Sequence, residues 1–274
     1  MYLTIRHDTS YRYEATVHYS IQQLRLTPAS GAAQVVRRWT IDAPGKLDAT
    51  FDAYGNVLHT LVINKPHDEI RLNVSGEVDT IPLVDGQLRD AVGPIPLEHY
   101  TCATRLTDAD AAVRELAESV ETLATANGLI KLSEEIVQRV KYRPGVTEVT
   151  STAAQALALG NGVCQDHAHL MLACCRARGI PARYVSGYIE PGDVPHGASH
   201  AWVDVWLNST GWVSVDVTHA AFASEIYCRL ATARDYEAAA PVRGRRIGGL
   251  EEKLKVSVTV SAQVPPQMPQ QMPQ

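Results

Sequence analysis

Cys164 follows a glycine-bracketed segment, Gly160-Asn161-Gly162-Val163, and opens a predicted helix. The helix is predicted because residues 164–177 are mostly apolar and are followed by Gly179 and Pro181, which end helices. The first turn of a helix offers unpaired N–H groups and the positive end of the helix dipole, and both stabilise an anion. The position therefore predicts a reactive thiol, with a buried, inert cysteine as the alternative.

A thiolate nucleophile needs a base beside it, and the base needs a carboxylate or an amide on its other ring nitrogen. Two candidates follow the helix in the sequence. His200 opens a predicted strand that runs to Leu207, and Asp216 lies near the end of the next predicted strand, which begins at Trp212. Cys164, His200 and Asp216 are therefore candidates for one catalytic group.

The numbering of His200 and Asp216 sets a condition on the hairpin between their strands. Side chains alternate along a strand, so two even-numbered residues share a face only if the connection contains an odd number of residues or a bulge. Pairing of Trp206 with Trp212 meets this condition and places Asp216 opposite Trp202, diagonal to His200. A simple four-residue loop would contradict this arrangement.

Four histidines near these segments suggest a metal site, which the spacing does not favour. His167 and His169 lie about 200° apart on a helix, so the two cannot converge on one ion. We expect no metal at these positions, nor at His196 and His219, and we expect no cofactor.

Two further charged features have a structural and a functional interpretation. Asp166 is predicted to cap the cysteine helix, and binding of a substrate amine is the alternative. The segment Arg243-Gly244-Arg245-Arg246 is predicted to be a solvated loop, and an anion or carboxylate site is the second interpretation.

The composition is that of a soluble globular protein with 274 residues, 45% hydrophobic residues and a net charge of −5. This charge gives no indication of nucleic-acid binding, and we expect no membrane contact because neither a leader nor a transmembrane stretch is visible. The five cysteines show no metal-like pair spacing, so free thiols in a reducing cytoplasm are expected.

The chain is predicted to have an α+β fold in two domains. β-Branched and aromatic residues dominate residues 1–95, which predict an antiparallel β-sandwich-like domain, with a linker near 81–100. Residues 96–262 predict the catalytic domain, and the Pro/Gln-rich residues 263–274 predict a disordered tail. The individual elements are expected at the following positions: strands at 4–14, 17–26, 35–41, 58–63, 183–189, 200–207, 212–217 and 253–260, and helices at 108–126, 134–142 and about 152–159.

The sequence resembles the bacterial transglutaminase-like family across nearly its whole length. The resemblance lies in the following segments, which occur in the family's order: Lys141-Tyr142-Arg143-Pro144-Gly145, Gly162-Val163-Cys164-Gln165-Asp166, Gly179-Ile180-Pro181-Ala182-Arg183-Tyr184-Val185-Ser186-Gly187-Tyr188, His200-Ala201-Trp202 and Gly211-Trp212-Val213-Ser214-Val215-Asp216-Val217-Thr218. The strands that begin at Tyr2 also resemble the β-domain that precedes the core in that family.

The resemblance implies a papain-like core in which a helix carrying the cysteine packs on an antiparallel sheet. It makes Cys164 the nucleophile, His200 the general base and acid, and Asp216 the residue that orients His200. The oxyanion would be held by the Cys164 backbone N–H and a second donor, for which Tyr142 and Gln155 are candidates.

Three functions remain open at this stage. The first is hydrolysis of peptide or other amide bonds through a thioacyl-enzyme, and the second is protein cross-linking, as in a protein-glutamine gamma-glutamyltransferase. The third is a non-catalytic scaffold, against which the intact Cys164, His200 and Asp216 count. The expected partner is a peptide or protein amide substrate, and the sequence does not predict an oligomeric state.

Overall fold

The computed structural model describes residues 1–89, 93–190, 192 and 199–263. The α-helices are α1 (Ala111–Glu118), α2 (Ala126–Arg139), α3 (Ala153–Leu159), α4 (Cys164–Ala177) and α5 (Tyr236–Ala239). The strands are β1 (Tyr2–Thr27), β2 (Gln34–Asp42), β3 (Leu47–Phe51), β4 (Val57–Ile63), β5 (His67–Thr80), β6 (Lys141–Tyr142), β7 (Asn161–Gly162), β8 (Ala182–Ile189), β9 (Ser199–Leu207), β10 (Gly211–Asp216), β11 (Ala221–Phe222), β12 (Tyr227–Ala233), β13 (Val242–Gly248) and β14 (Glu252–Gln263). No helix in the described part of the chain is long and apolar enough to cross a membrane.

A curled antiparallel sheet of seven strands is organised around β1, which is 26 residues long. The first half of β1 pairs with β5 and β14, and its second half pairs with β4 and β13. Buried residues from both halves, among them Ile5 and Leu24, belong to one hydrophobic core. The two layers of the predicted sandwich-like domain are thus parts of a single sheet, joined where β1 continues between them.

The C-terminal strands complete this N-terminal sheet. β14 pairs with β1 from Tyr2–Gln263 to Tyr13–Glu252, and β13 pairs with the second half of β1. The predicted boundaries of 1–95 and 96–262 place these strands with the catalytic region instead. Two predicted strands, 4–14 and 17–26, are a single strand, because backbone hydrogen bonds to residues 249 and 251 continue the pairing across Glu14 and Ala15.

The second unit is built around α4, which packs against an antiparallel sheet in the order β11-β10-β9-β8-β12. Helices α1, α2 and α3 cover the other sides of α4. Ala168, Leu170 and Leu172 are fully buried within this core, which explains why α4 is apolar on most of its circumference. The predicted α+β class and the packing of the Cys164 helix on an antiparallel sheet are both confirmed.

The predicted helix at 108–126 is wrong in its extent. α1 ends at Glu118, and α2 begins at Ala126 with the Thr125 hydroxyl accepting the Gly128 N–H at 3.1 Å. Asn127-Gly128, directly after the predicted end of that helix, lies in the first turn of α2. Glycine is needed there because a Cβ on Gly128 would come within 2.0 Å of the Thr122 carbonyl oxygen.

Two strands, β12 and β13, also differ from what the sequence patterns predicted. The arginine segment 243–246 was predicted to be a loop, but it belongs to β13, and β12 was not predicted. The linker is bound to the sheet of the second unit through the hydrogen bond from the Leu88 N–H to the Trp212 carbonyl, at 2.9 Å. The predicted tail lies outside the described residues except for Gln263, the last residue of β14.

Two buried amide side chains join the sheets to each other. The Gln34 side chain accepts the Arg229 N–H at 2.8 Å and donates to the Arg229 carbonyl at 2.9 Å. Asn56 makes the same pair of bonds, both 2.8 Å long, with Thr232. Because Arg229 and Thr232 belong to β12, these amides satisfy backbone groups at the edge of the five-stranded sheet.

Candidate active site

The start of α4 is fixed by its preceding turn. Gly160 ends α3 with a φ of 66°, and β6 then pairs with β7, so that Tyr142 lies beside Gly162. Asp166 Oδ2 accepts the Val163 N–H at 2.8 Å and the Thr147 hydroxyl at 2.7 Å, which confirms the predicted capping role. A Cβ on Gly162 would lie 2.8 Å from Asp166, so this close approach requires glycine.

The hairpin between β9 and β10 has the predicted register. Trp206 pairs with Trp212, and Leu207 pairs with Gly211, which leaves the three connecting residues 208–210. An odd connection keeps the even-numbered His200 and Asp216 on one face, and His200 Nε2 lies 2.6 Å from Asp216 Oδ2. The local parity argument therefore predicted this contact correctly.

His200 links the carboxylate to the thiol. Its side chain is 7% exposed and hydrogen-bonds with Asp216, and Cys164 lies near enough to influence its pKa. Since Nε2 is engaged by Asp216, the nitrogen that remains for Cys164 is Nδ1. Burial lowers the pKa of His200, but the hydrogen bonds and negative charges of its two partners outweigh burial and raise the pKa to about 10.

Asp216 is buried and accepts more hydrogen bonds than the one from His200. Oδ2 also accepts from His219 Nδ1 at 2.6 Å and from the Tyr227 hydroxyl at 2.7 Å, and Oδ1 accepts the His219 N–H at 3.2 Å. Burial raises the pKa of Asp216, but the bonds and charges of His200 and His219 outweigh it and hold the pKa well below its usual range. The carboxylate is therefore ionised beside His200.

His219 and Tyr227 were not predicted as site residues. His219 follows Asp216 by three residues, a spacing at which a turn brings a side chain back to the carboxylate, so a local signal was present. Tyr227 comes from β12, which lies two strands beyond β9, and no local pattern indicates this contact.

The candidates for the second oxyanion donor lie in different places. Tyr142 lies near Cys164. Burial and the charge of Cys164 both raise the pKa of Tyr142. The Gln155 carboxamide oxygen accepts the Thr152 N–H at 2.9 Å at the start of α3, and Gln155 does not line the cleft that contains Cys164.

The other cysteines differ from Cys164 in exposure. Cys164 is half-buried and lines a cleft, whereas Cys174, Cys175 and Cys228 are fully buried. Burial raises the pKa of all three, to about 12 for Cys175 and Cys228. Cys102 is exposed outside this cleft. Cys164 is thus the cysteine placed beside a histidine and open to a substrate.

Comparisons with known proteins show the family of this chain. Residues 3–79 match the bacterial transglutaminase-like N-terminal region, and residues 111–217 match the transglutaminase-like superfamily. An uncharacterised protein of Mycobacterium leprae is 30% identical over 259 residues, which cover 88% of this chain and 92% of that protein. The chain belongs to the transglutaminase-like superfamily.

Other relatives of this transglutaminase-like chain include an uncharacterised protein of Mycobacterium tuberculosis strain H37Rv, 30% identical over 272 residues that cover 88% of this chain and 86% of that one. A protein-glutamine gamma-glutamyltransferase of Pseudomonas aeruginosa is 37% identical over 103 residues, which cover 33% of this chain and 15% of that enzyme. The crystal structure of a "putative cysteine protease" from Cytophaga hutchinsonii has a TM-score of 0.78 at 20% identity and covers 98% of this chain and 93% of that one. This last likeness shows the shared fold.

The histidines of α4 in this transglutaminase-like core lie on different sides of the helix, as predicted. His167 contacts Thr218 Oγ1 at 3.0 Å and the Val140 carbonyl at 2.9 Å, while His169 Nε2 accepts the Tyr236 N–H at 3.2 Å. Each of these contacts is internal to the fold. His196, the third histidine of the suspected metal cluster, lies outside the described residues.

His200, Asp216 and His219 form the group of described residues whose ligand atoms could meet at a cation, since these atoms lie within 4.8 Å of one another. The hydrogen bonds described above account for this arrangement without an ion. The prediction of no metal at His167, His169, His196 and His219 remains a prediction.

The transglutaminase-like core and the N-terminal sheet enclose a cleft of about 830 Å³. Cys164 and His200 lie in its wall on the core side. The other wall consists of β1, β13 and β14, including Gln22, Arg245 and Leu254. A substrate that reaches Cys164 through this cleft would therefore touch both units.

Proposed function

We propose that the protein is a cysteine-dependent amide hydrolase that acts on peptide bonds through a thioacyl-enzyme. The observation that carries the proposal is the position of His200, which hydrogen-bonds with the ionised Asp216 and lines the same cleft as Cys164, whose charge raises the pKa of His200. This is the arrangement that activates a thiol and orients its base. A reducing, cytoplasmic location suits the proposal, because all five cysteines are free.

The first step is attack of the Cys164 thiolate on the amide carbonyl carbon. A C–S bond forms, and the carbonyl π electrons move to oxygen. The resulting oxyanion is received by the Cys164 N–H at the positive end of α4 and, in our proposal, by the Tyr142 hydroxyl. Support for Tyr142 comes from its pairing position beside Gly162 and its electrostatic contact with Cys164.

The second step breaks the C–N bond. His200, which carries the proton taken from the thiol, gives it to the departing amine while the C=O bond re-forms and a thioester remains on Cys164. Neutral His200 then removes a proton from water, and the hydroxide oxygen attacks the thioester. Collapse of that intermediate releases a carboxylic acid and returns the thiolate and imidazolium pair.

Transfer of the acyl group to an amine is the second candidate. The partial match to a protein-glutamine gamma-glutamyltransferase favours it, because that match covers 103 residues of a related core. In this reaction a lysine or a small amine attacks the thioester in place of water, and an isopeptide or amide replaces the acid. The same three residues perform both reactions.

Pulse labelling with iodoacetamide tests the proposed nucleophile. Cys102, which is exposed, serves as the internal control for ordinary thiol reactivity. We expect mass spectrometry to show Cys164 alkylated at least about tenfold faster than Cys102 at neutral pH, and the difference to disappear in His200→Ala. Equal labelling of the two cysteines in the wild-type protein would reject an activated Cys164.

A peptide library incubated with and without a primary amine separates the two reactions. Hydrolysis produces new carboxyl and amino termini in both samples. Amine transfer produces products that carry the amine and lowers the yield of acid. Products that persist in Cys164→Ala would show that the activity does not belong to this site.

A further inference from the structure

Strand β14 has one open edge. It pairs with β1 along its whole length, and the described part of the chain places no strand on its other side. Residues 252–257 are all exposed. An open edge presents unpaired main-chain N–H and C=O groups, which an extended chain can use as a template for pairing. Because β14 is 12 residues long, a peptide of six to eight residues has room to pair with it.

The register decides which main-chain groups of β14 face outward. The Glu14 N–H donates to the Glu251 carbonyl at 3.0 Å, so residues 14 and 251 form a hydrogen-bonded pair. Hydrogen-bonded and non-hydrogen-bonded pairs alternate in an antiparallel ladder, and this register continues without a shift to the Tyr2–Gln263 pair. The odd-numbered residues of β14 therefore bond to β1. The even-numbered residues direct their N–H and C=O groups away from it.

The same even-numbered residues carry apolar side chains that face the cleft. Leu254, Val256 and Val258 share one face of β14, and all three line the cleft that contains Cys164. Leu254 and Val256 are 55% and 48% exposed. Their partners on β1 lie on the same face and also line the cleft, and these are Tyr11, Thr9 and His7. The residues that offer unpaired main-chain groups are thus the ones that offer apolar contacts to a ligand in the cleft.

Two lysines occupy the opposite face of β14. Lys253 and Lys255 are exposed, and neither lines the cleft. On an added strand, side chains at alternate positions lie beside these lysines, where opposite charges attract and like charges repel. Lysines on an edge strand also oppose unselective pairing with other strands. This edge therefore favours a chain whose side chains alternate between apolar and acidic.

We propose that the outer edge of β14 binds a peptide as an added antiparallel strand, with apolar side chains towards the cleft and acidic side chains beside Lys253 and Lys255. Antiparallel addition continues the arrangement of every strand pair in this sheet. The main-chain hydrogen bonds supply affinity, and the alternate side chains supply selectivity. Such peptides are the substrate class of the proposed hydrolase, so this assignment rests on that proposed function.

N-methylated peptides test the main-chain pairing. The probe is a fluorescein-labelled octapeptide of alternating valine and glutamate, and its binding to the full-length Cys164→Ala protein is measured by fluorescence anisotropy. Since a hydrogen-bonded pair has both side chains on one face, the valine N–H groups face β14 and the glutamate N–H groups face solvent. N-methylation of three valines should weaken binding at least about tenfold, and N-methylation of three glutamates less than about threefold. Equal effects, the reverse order, or no binding of the parent peptide would overturn the proposal.

Two matched charge reversals locate the acidic side chains. Lys255→Glu reverses a charge on β14, and Lys65→Glu reverses one at an exposed residue between β4 and β5, so both change the net charge equally. We expect Lys255→Glu to weaken binding of the parent peptide about three- to tenfold at low ionic strength, and Lys65→Glu to leave it within about twofold. Equal losses would mean that only net charge matters, which contradicts a site at this edge.

A second pair of variants tests the apolar face. Val256→Thr keeps the β-branched shape but places a hydroxyl in the cleft. Val62→Thr makes the same change on β4, where Val62 is 45% exposed and does not line the cleft. Binding of the parent peptide should weaken about threefold in Val256→Thr and stay unchanged in Val62→Thr. Unchanged binding in both variants would contradict contact between the peptide and this face.

A second copy of the chain is the other partner that an open edge could pair with. Size-exclusion chromatography of the peptide-free protein should show a monomer. Val256→Pro removes an outward N–H without breaking the ladder to β1, so a dimer that this variant dissociates and the peptide does not displace would overturn the proposal. Failure of the binding tests leaves the iodoacetamide labelling of Cys164 unaffected, and unselective labelling leaves the binding tests unaffected. The substrate class and the proposed reaction can therefore fail separately.

Discussion

The Tyr227 hydroxyl donates to Asp216 Oδ2 at 2.7 Å, although the two residues belong to strands with β8 and β9 between them. Tyr227 also packs edge-on against Trp202, with ring centroids 5.3 Å apart, and Trp202 in turn stacks on His200. The orientation of the Asp216 carboxylate therefore depends on the far edge of the sheet as well as on its own strand.

Tyr227→Phe should slow the reaction of Cys164 with iodoacetamide about tenfold at neutral pH. Removing one donor from a buried carboxylate raises the pKa of Asp216. Reactivity that requires ionised Asp216 is present above this pKa and lost as the pH falls through it, so the loss should begin at a higher pH in the variant. Tyr19→Phe, at an exposed tyrosine, is the control, and an unchanged acid limb in Tyr227→Phe would contradict the proposed role of this bond.

Asp216→Asn should lower the pKa of His200 from about 10. The negative charge of Asp216 stabilises the imidazolium form of His200. This stabilisation is complete at a pH below the ordinary histidine pKa, and it is lost as the pH rises through the raised pKa of His200 in the folded protein. An NMR titration of the ¹⁵N-labelled imidazole should show His200 still protonated at pH 8 in the wild type and losing its proton at lower pH in the variant. Coincident titration curves would show that Asp216 does not control His200.

Three buried histidines should make the protein sensitive to mild acid. Burial lowers the pKa of His7 to about 4 and of His169 to about 3, and it also lowers the pKa of His167. The unfolded chain takes up protons near pH 6.5 while these native side chains stay neutral, so stability falls below that pH. Each such group contributes up to about 1.4 kcal/mol per pH unit.

Urea denaturation at pH 7.5 and pH 5 measures this loss. The drop in free energy of unfolding should be smaller in His7→Gln, which keeps polar atoms near Tyr188 and Thr9 but cannot take up a proton. His18→Gln, at an exposed position of the same strand, is the matched control and should leave the drop unchanged. Identical drops in all three proteins would show that His7 is not responsible.

Gln34→Met should destabilise the protein by about 2–3 kcal/mol, because it leaves both backbone groups of Arg229 without their side-chain partner. Gln34 is only 2% exposed, so water cannot readily replace the amide. Gln23→Met, on the same sheet but exposed, should cost less than about 0.5 kcal/mol in the same urea titration. Equal stability of the two variants would contradict the role of Gln34 at the edge of β12.

The parts of the site that the sequence predicted correctly depend on short-range rules. The signals for a helix start predicted that Cys164 lies in the first turn of a helix. The alternation of side chains along the hairpin of β9 and β10 predicted that His200 lies beside Asp216. Both rules involve neighbouring elements, so a single sequence contains all of their information. The same reasoning could have predicted the contact of His219 with Asp216, since His219 lies in the turn directly after Asp216.

The parts that were missed depend on pairing between distant segments. β13 carries Arg243 and Arg245, whose charge is typical of a loop, and only its partner β1 makes it a strand. The pairing of β14 with β1 could not be predicted for the same reason, because the partner of β14 lies about 250 residues earlier in the chain. Tyr227 reaches Asp216 across two intervening strands, a contact that depends on the curvature of the sheet.

The position of β13 and β14 in the chain has a consequence for the order of synthesis. A ribosome makes Cys164, His200 and Asp216 before it makes residues 242–263, which complete the wall of the cleft. During translation these three residues thus exist before the strands that form the other wall of the cleft. The cleft is complete only when the last described strands pair with the first, so both ends of the fold must be made before its second wall exists.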